Sequence, residues 1–256
     1  MRTVVVTPTY DEADNIVELL DRVRSAAPAA TVLVVDDGSP DGTADLAEGW
    51  GGEHGQVEVL RRTEKAGLGA AYRAGFSWAL AAGFEVVAQM DSDLQHDPAE
   101  LPALLGSVEL GADLAIASRY VPGGGTPGRE LSRRLTSRIG NRYAAVALGM
   151  PVRDATAGFR AYSASALAAV DLDEVRSDGF GFQVEMTYEV VRRGGRVVEV
   201  PSTFHERSRG TSKMSADIVV EALGVVTSVA VRDRVVAPLR RRGPRPGGGT
   251  PPAGST

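Results

Sequence analysis

Along the first half of the chain, short β-branched runs alternate with stretches whose apolar residues recur at helical spacing. Runs at 3–6, 32–35, 57–60, 86–90 and 114–117 read as strands, and the pattern between them predicts helices over 12–26, 41–49, 68–82 and 98–109. Such alternation implies an α/β fold, a mostly parallel central sheet flanked by helices on both faces. In open sheets of this kind ligands bind at the carboxyl ends of the strands, where the loops diverge. Every polar motif of this half lies there. Pro8-Thr9-Tyr10-Asp11-Glu12 follows the first strand, Asp36-Asp37-Gly38-Ser39-Pro40-Asp41-Gly42-Thr43 the second, and Asp91-Ser92-Asp93-Leu94-Gln95-His96-Asp97 the fourth.

The second half is less regular. Positions 121–128 hold four glycines and two prolines, which makes a loop and a candidate lid. A long helix is expected over 131–148, then a turn at Gly149-Met150-Pro151 and a polar segment to Ala157. A further helix fits 183–193, stopped by Gly194-Gly195, before a strand at 197–200. The stretch 202–213 is polar and basic, and a last helix is expected from about 215 to 239. The chain therefore divides into an α/β domain over 1–213, an amphipathic helix over 214–239, and a basic tail over 240–256 whose Arg, Gly and Pro predict disorder.

Composition narrows the chemistry. A length of 256 residues can bury a full core in one large domain. A formal net charge of -5 argues against a general nucleic-acid binder. The absence of cysteine excludes disulfides, thiolate catalysis and cysteine-ligated metals. The three histidines show no ligand spacing, and of them His96 lies beside a suspected site. Residues 1–10 read as a buried strand and lack the pattern of a signal peptide, so a cytoplasmic location is expected. The apolar stretch 218–231 is interrupted by Glu221 and is shorter than the roughly 20 residues a membrane span needs. It either lies in the membrane interface by its apolar face or packs on the domain as a core helix. Arg240, Arg241, Arg242 and Arg245 would add attraction to anionic lipid.

Strand alternation points Asp91 and Asp93 the same way, with Ser92 opposite. Oxygen ligands gathered at one point suit a hard cation such as Mg²⁺ or Mn²⁺ bound together with substrate phosphates. The competing reading is a solvated acidic turn, with Asp97-Pro98 capping the next helix. Asp36 and Asp37 offer carboxylates to a base or ribose, although the same segment makes a good turn and cap. Lys65-Ala-Gly-Leu-Gly-Ala lacks the Gly-Lys-Ser/Thr ending of a nucleotide-triphosphate loop and reads as a helix start. Arg119, Arg133, Arg134, Arg207, Arg209 and Lys213 supply cations able to clamp phosphate. Their position opposite the acidic motif suggests a diphosphate held between metal and arginines. Asp154 and Glu185 are either sugar ligands or partners of nearby arginines.

Taken in order over about residues 3–213, Pro-Thr-Tyr-Asp-Glu, Asp-Asp-Gly-Ser-Pro-Asp-Gly-Thr, Met-Asp-Ser-Asp-Leu-Gln-His, Ser-Arg-Tyr, Arg-Asp-Ala-Thr-Ala-Gly-Phe-Arg and Glu-Arg-x-x-Gly-x-Ser-Lys resemble the polyprenol-phosphate (dolichol-phosphate) mannosyltransferases, inverting family 2 glycosyltransferases of GT-A fold. The resemblance implies transfer of mannose from GDP-mannose to a polyprenyl phosphate with Mg²⁺ or Mn²⁺, at the cytoplasmic face of a membrane. By position it places Pro8, Tyr10, Glu12, Val35 and Asp37 around the guanosine and Asp91 and Ser92 near the ribose and diphosphate. It gives Asp93 and Gln95 to the metal, and sets Arg119, Arg133, Arg207 and Lys213 around the donor diphosphate and the incoming lipid phosphate. Two departures stand out. Asp11 occupies a position that is often Asn in the family, and the multi-pass membrane extension of some members is lacking, which leaves lipid access to the last helix or to a separate membrane protein. The nearest rival is the same reaction with another donor such as UDP-glucose. A processive synthase is disfavoured because no Gln-x-x-Arg-Trp occurs. A non-catalytic sugar-nucleotide sensor would not need both the metal motif and the late basic segment.

Overall fold

A computed structural model describes residues 1–128 and 130–205, together with 224, 226 and 227. Seven strands form one sheet among these residues, in the order β3 (Val57–Arg61), β2 (Thr31–Asp36), β1 (Thr3–Thr9), β4 (Val86–Gln89), β6 (Arg160–Ser163), β5 (Leu114–Ser118) and β7 (Val197–Pro201). All pairings are parallel except those of β6, which runs against both β4 and β5. The apolar runs are continuous because both faces are covered. On one face α1 (Ala13–Ala26), α2 (Thr43–His54) and α4 (Leu101–Glu109) pack through Ile16, Leu20, Trp50 and Leu104. On the other, α3 (Leu68–Ala81), α5 (Leu131–Leu148) and α7 (Gly179–Arg192) pack through Tyr72, Phe76, Leu148, Phe182 and Met186.

The five strands expected in the first half are present, and four other elements depart from the expectation. The second helix does not stop near 49 but runs to His54. Gly51 lets it lie close on β3, since a Cβ there would meet that of Val57 at 2.9 Å, and Trp50 stacks on His54 with ring centroids 4.3 Å apart. Strand β6 was not expected, because Arg160-Ala-Tyr-Ser does not read as apolar. Short helix α6 (Ala164–Ala169) was not expected either; it is capped by Ser163, whose Oγ accepts from the backbone of Ala166 at 3.2 Å. The predicted helix over 98–109 begins as a 3₁₀ turn, Pro98–Glu100, with Asp97 accepting from the backbone of Ala99 at 3.0 Å. Of the helix expected over 215–239, Gly224, Val226 and Thr227 are described; all three are helical and Val226 is buried with the core. The rest of that helix and the 240–256 tail lie outside the described residues.

Register decides where the site forms. Strand β1 pairs Thr9 with Asp36 of β2 and Val6 with Gln89 of β4. The chain leaves β1 for β2 on one side while β4 lies on the other, so β1 and β4 bound the topological switch point at which such sheets take ligands.

Candidate active site

Beyond the ends of β1 and β4 lies a cavity of about 230 Å³ lined by Pro8, Thr9, Tyr10, Glu12, Asp37, Lys65, Gly67, Leu68, Ala71, Asp91, Ser92 and Asp93. Seven of the expected site residues thus meet in one space: Pro8, Tyr10, Glu12, Asp37, Asp91, Ser92 and Asp93. Val35 is not brought there. It is fully buried on the α3 side of the sheet, where a Cβ on Gly75 would stand 3.1 Å from its Cγ2.

The adjacent loops divide the motif residues into scaffold and wall. Asp36 accepts from Thr9 Oγ1 at 3.0 Å, from the backbone of Gly38 and Ser39 at 3.1 and 2.9 Å, and from Ser39 Oγ at 2.5 Å. Ser39, Thr43 and Asp41 in turn receive the backbone N–H groups of Asp11, Glu12 and Ala13 at 3.1, 3.0 and 2.9 Å. The second motif therefore holds the first in place, and Asp37 is the carboxylate left facing the cavity. Burial pushes the Asp37 carboxyl above its ordinary value, an effect that the charge and hydrogen bond of Arg62, 2.7 Å away, only partly offset. Asp11 has φ 59°, a left-handed conformation that both Asp and Asn tolerate.

At the other end, Tyr72, buried on α3, donates its hydroxyl to Asp91 Oδ1 at 2.6 Å. Burial and then the Asp91 charge drive the Tyr72 pKa well up, so it stays a donor. Asp93 Oδ1 accepts from the backbone of Gln95 at 3.1 Å, across Leu94 at φ 58°. Gln95 itself is tied to His205, donating Nε2 to its carbonyl at 3.2 Å and accepting from its N–H at 2.9 Å. Of the two expected cation ligands, Asp93 lines the cavity and Gln95 does not; the side-chain oxygens of both are of the type that suits a hard divalent cation. Among the described residues no three His, Cys, Asp or Glu side chains group as a metal cage. His96 belongs to the core. It packs against Phe159 and Phe204 at 5.3 and 5.0 Å, and burial, then the charge of Arg119, push it down to about 3.

Lys65 is a cavity residue that the sequence reading passed over. Its Nζ stands 3.7 Å from the centroid of Tyr10. The adjoining Gly67 has φ 93°, and a Cβ on it would meet Asp178 Oδ2 at 1.8 Å. Asp178 thereby reaches the start of α3 and accepts from the backbone of Gly69 at 2.5 Å. The glycines serve this helix start, as expected, and the lysine before them was the available signal.

The arginines are distributed differently from the expectation. Arg119 does not line the cavity. Its Nε and Nη2 bind Asp154 at 2.7 and 2.6 Å, its backbone N–H binds the same carboxylate at 2.9 Å, and both side chains are buried. Asp154 is therefore an arginine partner. Glu185 accepts from the backbone of Ser177 at 3.1 Å. Arg160 staples the 154–158 segment to α7, donating to the carbonyls of Ala155, Ala157 and Gln183 at 2.6, 2.6 and 2.8 Å. Arg119 instead faces a second cavity of about 510 Å³, shared with the glycine-rich loop, Leu131, Arg134, Leu135, Arg138 and Arg153. Arg133 sits in the first turn of α5, and its side chain lies outside the described residues, as do Arg207, Arg209 and Lys213.

Comparison with known proteins bears on the family and the fold. The family model described as glycosyl transferase family 2 matches residues 4–170. The chain is 50% identical over 227 residues, 89% of its length and 93% of the relative's, to undecaprenyl-phosphate mannosyltransferase of Micrococcus luteus. It is 46% identical to polyprenol monophosphomannose synthase of Mycolicibacterium smegmatis, covering 91% of this chain and 89% of that one. Among solved structures, glucosyl-3-phosphoglycerate synthase from Mycobacterium tuberculosis, in complex with Mn²⁺, UDP and glucosyl-3-phosphoglycerate, superposes with a TM-score of 0.66 at 19% identity over 90% of this chain and 79% of that one. The last likeness bears on the fold, which is GT-A-like. With a family model spanning well over half of its length and two near-full-length relatives, the chain belongs to glycosyl transferase family 2.

Proposed function

We propose that this chain moves mannose from GDP-mannose to a polyprenyl monophosphate, with inversion, in the presence of Mg²⁺ or Mn²⁺. The observation that carries the reading is the convergence of seven expected donor residues on one cavity at the switch point of the sheet. The substrates are inferred from two relatives named for mannosyl transfer to polyprenyl phosphates. In this reading Pro8, Tyr10, Glu12 and Asp37 hold the nucleoside, and Asp91, Ser92 and Asp93 face the ribose and diphosphate. Asp93 and Gln95 would hold the cation, which when bound neutralises charge on the departing GDP.

The acceptor brings its own nucleophile. A phosphate monoester has a second pKa of about 6, so an anionic oxygen is present at neutral pH without a strong base, and the buried, neutral His96 is not needed as one. That oxygen forms the new bond to the anomeric carbon as the bond to GDP breaks, turning an α-linked donor into a β-linked product. Arg133, Arg207 and Lys213 are assigned to the donor diphosphate and lipid phosphate, and the negative charge that moves between these groups is what cationic donors stabilise. Peripheral attachment at the cytoplasmic face is part of the proposal, and a separate membrane protein is a candidate partner. Among the described residues no helix is long and apolar enough to cross a membrane.

The test incubates the purified chain with labelled GDP-mannose or UDP-glucose, a polyprenyl phosphate and Mg²⁺. Labelled lipid from GDP-mannose alone, lost on chelation, is expected. Label from UDP-glucose would transfer the reading to a glucosyltransferase, and nucleotide binding without any labelled lipid would make the chain a sensor.

A further inference from the structure

Asp91 stands just past the end of β4 at the donor cavity, and two other elements close on its carboxylate. From one side the hydroxyl of Tyr72 on α3 donates to Oδ1 at 2.6 Å. From the other, Gly158 comes so near that a Cβ on it would stand 2.8 Å from Oδ2. Gly158 does not have a left-handed φ, so the glycine answers to the space the carboxylate occupies and not to a turn. Both jaws are fixed. Tyr72 is fully buried, stacked on Phe182 of α7 with ring centroids 5.8 Å apart and tilted against Phe76 at 5.7 Å. Gly158 follows a segment whose carbonyls at Ala155 and Ala157 are held by the buried Arg160. Packing among these rings asks only for a phenylalanine, the residue found at 76 and 182. A hydroxyl in such a core costs free energy unless it is hydrogen-bonded, and this one is directed at a carboxylate of the cavity.

We propose that Tyr72 is a positioning residue for the donor: together with Gly158 it holds the Asp91 carboxylate in the one orientation that meets the ribose and diphosphate. The inference rests on the proposed function in giving Asp91 to the donor. A half-exposed carboxylate at the end of a strand, as Asp91 is, would otherwise order its side chain only when the ligand arrives, and that ordering weakens binding. A hydrogen bond to the charged group from a rigid ring does the ordering beforehand. Helix α3 also gives Leu68 and Ala71 to the cavity wall, while Tyr72 does not line the cavity. Its influence therefore runs through Asp91. Contacts to ribose and diphosphate are made before the reaction begins, so loss of the hydroxyl should appear as weaker donor binding and not as slower chemistry at saturation.

The test is a double-mutant cycle on the full chain. Donor KM and kcat are measured with saturating polyprenyl phosphate and Mg²⁺, and donor Kd by calorimetry without acceptor. Tyr72→Phe removes one oxygen and keeps the ring, and Gly158→Ala pushes on the same carboxylate from the opposite side. Each is expected to raise donor KM and Kd about ten-fold, with kcat within about two-fold of wild type and acceptor KM unchanged. In an Asp91→Ala background Tyr72→Phe should add nothing, because the group through which it acts is gone. Wild-type donor KM in Tyr72→Phe, or a loss that persists undiminished in the Asp91→Ala background, would overturn the assignment. So would a variant with a lower melting temperature and lower kcat but unchanged donor KM, the signature of a tyrosine that serves the core alone. If Tyr72→Phe does not fold, Gly158→Ala decides: donor KM at the wild-type value overturns the inference, and a ten-fold rise that vanishes in the Asp91→Ala background upholds it. The same pattern read with UDP-glucose, in a wild type that does not bind GDP-mannose, would sink the proposed donor and uphold the role of Tyr72. Wild type that binds neither nucleotide sugar would overturn both.

Discussion

Replacing Asp154 by asparagine probes the buried ion pair on which the β5 end of the site depends. The Asp154 carboxylate takes three bonds from Arg119, at 2.7, 2.6 and 2.9 Å, and the two side chains are 0% and 5% exposed. Asparagine nearly preserves the volume but removes the charge, leaving a guanidinium inside the protein without its counter-ion. Breaking one partner of such a pair costs about 3–5 kcal/mol, against roughly 0–1 kcal/mol for an exposed pair. The loss is a large part of the ~5–15 kcal/mol that stabilises a typical domain. A pH series supplies an independent signature. Burial alone would raise the Asp154 pKa, but the charge and hydrogen bonds of Arg119 outweigh it and hold the carboxyl below its ordinary 3.8. A depressed folded-state pKa contributes stability that is present above the unfolded value and is lost as pH falls through the folded one. The gap in unfolding free energy between wild type and Asp154→Asn should therefore be flat from about pH 7 to 5 and narrow below about pH 4. Urea unfolding followed by circular dichroism across that range measures both effects. A loss under about 1 kcal/mol at neutral pH with no narrowing in acid would mean that solvent screens the pair, and the burial argument would fail. Combining Arg119→Met with Asp154→Leu should recover most of the stability, because apolar replacement of a whole buried pair is often neutral or better.

Asp93→Ala should abolish transfer at every Mg²⁺ or Mn²⁺ concentration while leaving the melting temperature in place, because the backbone bond it accepts lies within its own loop; full turnover in metal-limited buffer would remove Asp93 from the cation site. Asp37→Asn should weaken GDP-mannose binding by calorimetry yet gain stability relative to wild type as pH rises above about 4: the raised folded pKa of Asp37 means its contribution is favourable below the unfolded value and is lost as pH climbs through the folded one. A stability difference that does not grow with pH would contradict the dominance of burial there. Lys65→Ala should weaken donor binding several-fold with little change in turnover at saturating donor, consistent with a cation–π contact of about 0.5–1 kcal/mol at an open site; a change confined to turnover would place Lys65 on the reacting groups.

How much of this was readable in advance depends on whether one residue type permits one environment. The parallel strands were legible because sequences such as Thr-Val-Val-Val can only be buried on both faces, and the loops at their carboxyl ends then had to meet. The division of labour between Asp36 and Asp37 was not, since the two are chemically identical and only register, which sets Asp36 against Thr9, turns one inward to the loop and leaves the other facing the cavity. Strand β6 was hidden by Arg160, whose charge reads as surface until three carbonyls and Thr187 are seen to satisfy it inside the protein. Val35 misled in the opposite direction. Its neighbour Asp37 lines the cavity, but a side chain two residues earlier on the same strand is already inside the α3 core. The arginines show the limit of charge counting, because Arg119 is neutralised by a carboxylate 35 positions away whereas Arg134, Arg138 and Arg142 stay exposed. Pairing over such separations is set by the fold, and a count of cations near a motif holds no information about which of them has already been matched.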